Sequence, residues 1–343
     1  MSKSILTADF IITMDAGNRI IEHGAVAIDN DRIAMVGPVD DVTRTYPDWP
    51  IRLMRNRILM PGLVNAHLHS GILRGTAEGL PVWDWLRPLH PSYAQGLSPR
   101  EAEAASWLCY AEAVLSGTTT VIDMWRFMDG SARAAAAIGN RSIMVPYVDE
   151  HPDYAYFDHL DDTERLLETW HGQADGRVSV WVGLEHAFYS TEEGHRRAID
   201  LAKKFRTGFH THSNEAEIEL KEMDRRYGVR PIHALDRLGL LDAEHVLLAH
   251  CVWLDDSEIE LLAKTRGRGR AQPNEQHETR ERRGASSQAA RGRRSGRDRH
   301  GRREGEQQSR HVRRDEVRLA SREICQPGRR RARLMGCHAH GDY

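Results

Sequence analysis

Two histidines separated by one residue give the clearest chemical signal in this sequence. His67 and His69 follow the apolar stretch 61–66, and no charged residue accompanies them. Residues i and i+2 of a β-strand point to the same face, so both imidazoles can reach one metal ion. The alternative is a pair of surface histidines. The apolar residues before the pair favour a metal site.

A second pair occurs in the segment 209–215, which reads Phe-His-Thr-His-Ser-Asn-Glu. His210 and His212 share a strand face, and Glu215 follows where the strand is expected to give way to a loop. A carboxylate in that place can move protons beside a metal-bound water. Taken alone, the segment is equally consistent with a histidine pair packed in the core.

A third signal is His250, which ends the apolar run 246–249. Taken alone, it is better explained as a core histidine with a hydrogen-bond partner. However, all three signals fall at the C-terminal ends of predicted strands, where barrel enzymes place their active sites. We therefore interpret them as one site.

Strands and helices alternate from residue 63 to residue 265. The apolar runs predict six strands, at 63–69, 118–124, 142–148, 178–184, 207–212 and 245–250. The clearest helix covers 99–116, because Ser98, Pro99 and Glu101 form an N-terminal capping pattern; others are predicted at 191–205, 215–227 and 255–264. This alternation is typical of a parallel sheet and predicts an α/β fold, which we interpret as a (β/α)8 TIM-type barrel.

The two ends of the chain differ from this region. Residues 1–60 are rich in β-branched residues, with a hairpin predicted around Asn30-Asp31. Residues 1–265 contain 26 Lys and Arg against 40 Asp and Glu, whereas residues 266–343 contain 22 Arg, no Lys and 10 acidic residues. A segment this poor in apolar side chains cannot offset its ordering entropy. We predict three parts: an N-terminal β part at 1–60, a barrel at 61–265 and an Arg-rich tail at 266–343.

These segments resemble the amidohydrolase superfamily, in the branch of methylthioadenosine/S-adenosylhomocysteine deaminases and triazine chlorohydrolases. The resemblance covers residues 1–265 and is carried by 61–69, 73–75 with 83–86, 117–120, His212 with Glu215, and 249–251. It implies a TIM-type barrel with a small N-terminal β-sandwich. It also implies one divalent metal ion, usually zinc, with iron as the alternative.

The resemblance assigns roles to individual residues. His67, His69 and His212 correspond to metal ligands, Glu215 to the proton carrier, and His250 to the residue that orients or helps to deprotonate the water.

Two further residues are predicted to contact the substrate. His186 aligns with a substrate-contacting histidine, although its surroundings, Glu-His-Ala-Phe-Tyr, depart from the expected Pro-His-x-Pro-Tyr. Trp85 is predicted to form a wall for an aromatic ring, with a core aromatic residue as the alternative.

One expected element is missing from the sequence. The family pattern has an aspartate in a Gly-Thr-Asp context at the end of the eighth strand, and no such motif is present. One permissible set of codons for residues 297–303 reads Gly-Ile-Gly-Thr-Asp-Gly after a shift of one base. We therefore interpret 266–343 as out of frame or disordered, with the C-terminal strands missing or frameshifted.

The predicted function is that of a zinc-dependent hydrolase acting on a C–N bond of a nitrogen heterocycle, by deamination of an adenosine-like or other aminated ring. One alternative is removal of chlorine or an amine from an s-triazine. Another is an inactive frameshifted remnant with a basic nucleic-acid-binding tail. Since the tail lacks Lys, Phe and Trp, we do not expect nucleic-acid binding.

The expected partner is a small heterocyclic substrate, and the resemblance alone suggests a homo-oligomer. The N-terminal residues do not form a signal peptide, and no apolar run reaches the roughly 18 residues of a membrane span. We therefore expect a cytoplasmic protein that does not bind membranes.

Overall fold

The computed structural model describes residues 3–71, 80–152, 157–266 and 271–275, with side chains omitted at a few of these positions. The chain divides into two compact units, Met1–Leu63 and Val64–Tyr343. The predicted family segment 73–75 and residues 276–343 of the predicted tail lie outside the described residues.

The first unit is one mixed β-sheet with a short helix. Its elements are β1 (Lys3–Ile12), β2 (Ile20–Asp29), β3 (Arg32–Pro38), α1 (Val39–Thr45) and β4 (Ile51–Leu59). The strand order is β3-β2-β1-β4, with β4 parallel to β1 and the other pairs antiparallel. The hairpin predicted around Asn30 is confirmed, and Asn30 takes the left-handed conformation that its turn requires. The described residues of this unit form a single sheet, so the sandwich stays a prediction.

The second unit contains parallel strands separated by helices. The strands are β5 (Leu63–Leu68), β6 (Thr118–Trp125), β7 (Arg141–Pro146), β8 (Val178–Val180), β9 (Val182–Leu184), β10 (Phe209–Ser213), β11 (Val246–His250) and β12 (Ala271–Glu275). They form two sheets, β5-β6-β7-β8 and β9-β10-β11-β12, in which each strand pairs with its neighbour in sequence. The mixed α/β fold with parallel strands is therefore confirmed.

Trp181 joins the two sheets. Its backbone N–H donates to Met144 O in β7, and the next N–H, of Val182, donates to Gly208 O just before β10. One extended segment, β8 and β9 together, thus pairs first with the strand before it and then with the strand after it. This order, in which neighbours in sequence are neighbours in space, is the order found in a (β/α) barrel.

The four helices predicted in this unit are confirmed with ends within two residues of the prediction, and the others were not predicted. The helices are α2 (Val82–Gly96), α3 (Pro99–Leu115), α4 (Met128–Ile138), α5 (Leu160–Trp170), α6 (Gln173–Gly176), α7 (Glu192–Lys204), α8 (Glu217–Tyr227), α9 (Pro231–Arg237) and α10 (Asp256–Arg266). The capping box at the start of α3 is confirmed: the Ser98 side chain accepts the Glu101 N–H, and the Glu101 side chain accepts the Ser98 N–H. None of the described helices combines the length and the apolar character needed to cross a membrane.

The strand β12 lies where no strand was predicted, inside the Arg-rich segment. It pairs in parallel with β11, and Pro273 stands opposite Leu248. Strand pairing uses backbone groups that nearly every residue possesses, so a polar sequence can add to an exposed sheet edge. Proline is tolerated there because an edge strand leaves some of its N–H positions unused.

Candidate metal centre

The histidines predicted from the sequence come together at the C-terminal ends of the strands in the second unit. His67 lies in β5 and His69 directly after it, while His212 lies in β10 and His250 ends β11. Their rings are neighbours: the His67 centroid is 4.6 Å from that of His69 and 4.8 Å from that of His212. Three separate strands therefore deliver imidazoles to one place.

Three ring nitrogens converge at the centre of this cluster. The Nε2 atom of His212 lies 3.2 Å from Nε2 of His67 and 3.3 Å from Nε2 of His69. His67 and His212 are each only 4% exposed. The spacing is short enough for one ion to contact all three atoms.

Backbone carbonyls determine which nitrogen carries the proton in two of these rings. The Nδ1 atom of His69 donates to Met124 O at 2.6 Å, and Nδ1 of His212 donates to Glu185 O at 2.6 Å. A carbonyl oxygen can only accept, so Nδ1 is the protonated nitrogen in each neutral ring. The Nε2 atoms of these two rings are therefore unprotonated, and each has a lone pair.

His67 is fixed in the same tautomer by another histidine. His210 Nδ1 donates to Leu247 O at 2.8 Å, which leaves His210 Nε2 as an acceptor. That atom lies 2.8 Å from His67 Nδ1, so the proton between them belongs to His67. The lone pair of His67 Nε2 then points at the other two. His210, grouped with His212 by its strand face, is a hydrogen-bond partner of His67 and not one of the three residues whose nitrogens converge.

Three converging lone pairs repel one another unless a positive charge stands between them. Protons do not supply that charge, because burial and the neighbouring imidazoles hold the pKa values of His67 and His212 well below 6.5 and burial lowers the pKa of His69. Neutral imidazoles with a second hydrogen bond on the far nitrogen are the usual donors to a transition metal. The donor set therefore fits a divalent cation.

A second convergent group, of Glu185, His186 and His212, fits a cation less well. The Nδ1 atom that His212 would offer already donates to Glu185 O. His186 Nδ1 is 2.7 Å from Glu185 Oε2 in a hydrogen bond. Both nitrogens already make hydrogen bonds, so a shared cation fits the first group better.

Glu215 and His250 stand next to this centre. Glu215 is 5% exposed, and its Oε1 atom lies 3.2 Å from Nε2 of His250. The His250 ring stacks on the His212 ring with centroids 5.3 Å apart. Burial lowers the pKa of His250 to about 3, so the ring is neutral at pH 7. The carboxylate and the neutral imidazole can both bind a water molecule beside the three nitrogens.

Unusual backbone conformations place these two side chains. Asn214, His250 and Cys251 have φ values of 55°, 71° and 54°, all in the left-handed region. Side chains other than glycine rarely adopt it, and such residues concentrate at functional sites. The N–H of Cys251 donates to Ser213 O at 2.9 Å, which ties the end of β11 to the end of β10.

A buried acid–base group borders the other side of the centre. His186 is 1% exposed, and its Nε2 atom lies 3.7 Å from Glu215 Oε2. Burial alone would lower the pKa of His186, but the adjacent Glu185 carboxylate raises it to about 9. Tyr147 donates to the other oxygen of Glu185 at 3.0 Å. The sequence had not singled out Glu185 or Tyr147; the only signal was the place of Glu185 directly before His186 at the end of β9.

Asp123 supports the loop after His69. Its Oδ1 atom accepts the Ser70 N–H at 2.9 Å, and its Oδ2 atom accepts the Tyr110 hydroxyl at 2.5 Å. Asp123 is fully buried, and burial raises its pKa to about 6. This residue, at the C-terminal end of β6, joins the backbone beside a ligand to the neighbouring strand.

Trp83, one of the two tryptophans in α2, contacts His186. Its ring centroid lies 5.5 Å from that of His186 and 5.8 Å from that of Phe188. Its Nε1 atom is buried without a hydrogen-bond partner among the described residues. Trp85 is half-buried in the same helix, and its backbone N–H donates to Pro81 O. Both are candidates for the wall of a substrate pocket.

The chain belongs to the amidohydrolase family. The model of that family matches residues 58–291, about two thirds of the chain, and a second model, for an imidazolonepropionase-like composite domain of bacteria, matches residues 24–48. The membership predicted from the histidine motifs is therefore confirmed.

More particular similarities lie among deaminases. The 5-methylthioadenosine/S-adenosylhomocysteine deaminase of Thermoanaerobacter pseudethanolicus is 33% identical over 259 residues, which cover 74% of this chain and 58% of that protein. An adenosine deaminase from Xanthomonas campestris, solved with bound zinc, is 26% identical with a TM-score of 0.66, over 77% of this chain and 61% of that one.

An atrazine chlorohydrolase from Arthrobacter aurescens, solved with zinc, shares the fold. It has a TM-score of 0.69 at 21% identity, over 79% of this chain and 65% of that chain. The present chain thus spans less than two thirds of the length of these proteins.

Proposed function

We propose that this chain is a zinc-dependent hydrolase that removes an amino group from an adenosine-like heterocycle. The observation that carries the proposal is the convergence of three Nε2 atoms: those of His67 and His69 lie within 3.3 Å of that of His212, and each ring is fixed by a hydrogen bond on its Nδ1 atom. Three acceptor nitrogens that face one another fit a shared cation better than a packed core, in which buried acceptors normally face donors.

The proposed ligands are His67, His69 and His212. Imidazole suits zinc, and three protein ligands with one open position are typical of catalytic zinc sites; iron is the alternative. A zinc ion held there would lower the pKa of a bound water to roughly 7 and so supply a nucleophile at neutral pH.

Glu215 is the proposed proton carrier. Hydrolytic deamination consumes water and releases ammonia, so one proton must move from the water to the ring nitrogen and another to the departing amine. A carboxylate performs both transfers by accepting a proton and returning it. The contact between Glu215 Oε1 and His250 Nε2, at 3.2 Å, supports a role for His250 in orienting the water.

His186 and a tryptophan of α2 are the proposed contacts to the substrate ring. The imidazole of His186 is protonated at neutral pH and its Nε2 has no hydrogen-bond partner among the described residues. A buried N–H donor of this kind is available for an acceptor atom of a heterocycle. The names of the relatives support an adenosine-like ring, since those deaminases act on 5-methylthioadenosine and S-adenosylhomocysteine.

The test combines metal content with product release. The full 343-residue chain is expressed, dialysed against a chelator, reloaded with zinc and assayed for ammonia from adenosine derivatives. We expect about one zinc per chain and ammonia release that disappears on removing zinc. Chloride release from chlorinated s-triazines would instead support the dechlorination alternative. Zinc binding without either product would support an inactive remnant, and activity independent of metal would refute the proposal.

We also propose the larger architecture on the same footing. Residues 61–265 would form most of a closed barrel, residues 1–60 part of a β-sandwich, and residues 266–343 a tail that is out of frame or disordered. Sequencing the coding DNA across the Thr265 codon tests the tail. A lost or gained base there would support the frameshift hypothesis, and an intact reading frame would refute it. A homo-oligomer and a cytoplasmic location remain part of the proposal.

Replacing Trp83 with alanine is expected to raise KM for an adenosine-like substrate about tenfold. Stacking of a base on an aromatic side chain contributes roughly 1–3 kcal/mol by alanine substitution, and the Trp83 ring centroid lies 5.5 Å from that of His186. Steady-state kinetics of Trp83→Ala and Trp85→Ala measure the effect. A larger rise in KM for Trp85→Ala would assign the wall to Trp85, as the sequence predicted.

A further inference from the structure

Glu219 holds the backbone of the loop that carries Glu215. Its Oε1 atom accepts the Asn214 N–H at 2.9 Å, and its Oε2 atom accepts the Glu215 N–H at 2.7 Å. Glu219 is 2% exposed. Both oxygens of one buried carboxylate are therefore engaged by two consecutive amides, which fixes the plane of the peptide between them.

This arrangement differs from ordinary helix capping. Glu219 is the third residue of α8, and in a capping box a glutamate there bonds the N–H of the N-cap residue, here Ala216. The bonds go instead to the two residues before it. A buried carboxylate is costly unless its hydrogen bonds compensate, so helix stability alone explains this choice poorly.

Glu219 also faces the same imidazole as Glu215. His186 Nε2 lies 3.8 Å from Glu219 Oε2 and 3.7 Å from Glu215 Oε2. The left-handed Asn214 lies between the strand residue His212 and Glu215, and the loop turns there. Glu219 thus fixes the position of the backbone from which the Glu215 side chain extends.

We infer that Glu219 is a positioning residue that aims the carboxylate of Glu215 at the substrate. The inference rests on the proposed function, because that function assigns Glu215 the role of proton carrier. Displacement of a catalytic group by about 1 Å can cost about 100-fold in rate. Loss of the Glu219 contacts should therefore slow the proton transfers and leave substrate binding nearly intact.

Glu258 offers a matched control within the same loop system. It is fully buried and accepts from the Asn214 side chain at 3.1 Å, from the Ile232 N–H at 3.0 Å and from the Asp255 N–H at 3.1 Å. It also pairs with Arg230 at 2.8 Å. It shares the residue type and the burial of Glu219, but its described bonds include neither the Glu215 amide nor His186.

The experiment compares Glu219→Gln and Glu258→Gln on two leaving groups. Glutamine offers one oxygen and one NH2 group, so it can accept only one of the two N–H groups. The substrates are a 6-aminopurine nucleoside, whose amine must be protonated to leave, and its 6-chloro analogue, whose chloride leaves as an anion. Assays use the full chain with zinc, and Glu219→Asp provides a second variant that keeps the charge.

We expect Glu219→Gln to lower kcat on the amino substrate by about 10- to 100-fold, with KM changed less than about twofold and a smaller loss on the chloro substrate. Glu219→Asp should lie between this variant and the wild type. Glu258→Gln should lower both rates in equal proportion. Equal losses on both substrates for Glu219→Gln would overturn the inference, since that is the result of general destabilisation.

Amide hydrogen exchange separates this inference from the proposed function, since it needs no turnover. Glu219→Gln should speed exchange at residues 214–215, and Glu258→Gln should speed it at residues 232 and 255 instead. If the wild type releases no ammonia, the proposed function fails. The positioning role of Glu219 is then still tested by amide exchange at residues 214–215 in Glu219→Gln. Faster exchange there would support the positioning role, and unchanged exchange would overturn it.

Discussion

His212→Leu is expected to bind zinc at least about 100-fold more weakly than the wild type. Loss of only a hydrogen-bond partner of a ligand already costs roughly 10- to 100-fold, and His212 offers the nitrogen to which both other candidate ligands are close, at 3.2 and 3.3 Å. Leucine has a similar volume and no donor atom. Competition with a chromophoric chelator measures the affinity, and ammonia release should fall in parallel.

His195→Leu is the control for removing a buried histidine. His195 is 1% exposed, and its Nε2 donates to Ala187 O at 2.8 Å, so its loss also removes a hydrogen bond from a buried imidazole to a backbone carbonyl. We expect both variants to lose stability and only His212→Leu to lose zinc. Equal zinc affinity in His212→Leu and the wild type would refute the ligand assignment.

Glu215→Gln is expected to lower kcat by about 10²- to 10⁴-fold, the usual contribution of general acid–base catalysis. The amide keeps the shape of the side chain but can neither accept nor return a proton at neutral pH. Zinc content should not change, because the proposed ligands are the three imidazoles. Steady-state kinetics and metal analysis of the same preparation measure both quantities.

Glu217→Gln removes the same charge two residues further along the chain. Glu217 is exposed and pairs with Lys221 at 3.0 Å. Exposed ion pairs contribute little, so its kcat should stay within about twofold of the wild type. An equal loss in both variants would indicate a general charge effect and not proton transfer by Glu215.

The histidines and the strands that carry them could be predicted because both follow local patterns. The two-residue period places His67 and His69 on one side of a strand, and apolar runs mark the strands. The capping box of α3 likewise depends on residues within four positions of one another. The parallel order followed because strand–helix alternation leaves few other topologies.

The atoms that fix the tautomers of these histidines could not be predicted. Met124 O and Leu247 O are backbone oxygens that any residue type would supply, so no side chain indicates their role. The roles of Glu185 and Glu219 depend on burial, which tertiary packing determines. The strand β12 has no apolar pattern, because it depends on pairing with β11.

The position of β5 would give a metal ion bound at the proposed site a mechanical role. Among the described residues, β5 pairs only with β6, which leaves it as an edge strand of its sheet, while His212 lies in β10 of the other sheet. An ion bound by both His67 and His212 would link β5 to β10 and so connect the two sheets. A ligand at 1,000 times its Kd stabilises the folded state by about 4.1 kcal/mol. Bound metal should therefore stabilise the pairing of β5 with β6 in addition to its proposed role in hydrolysis.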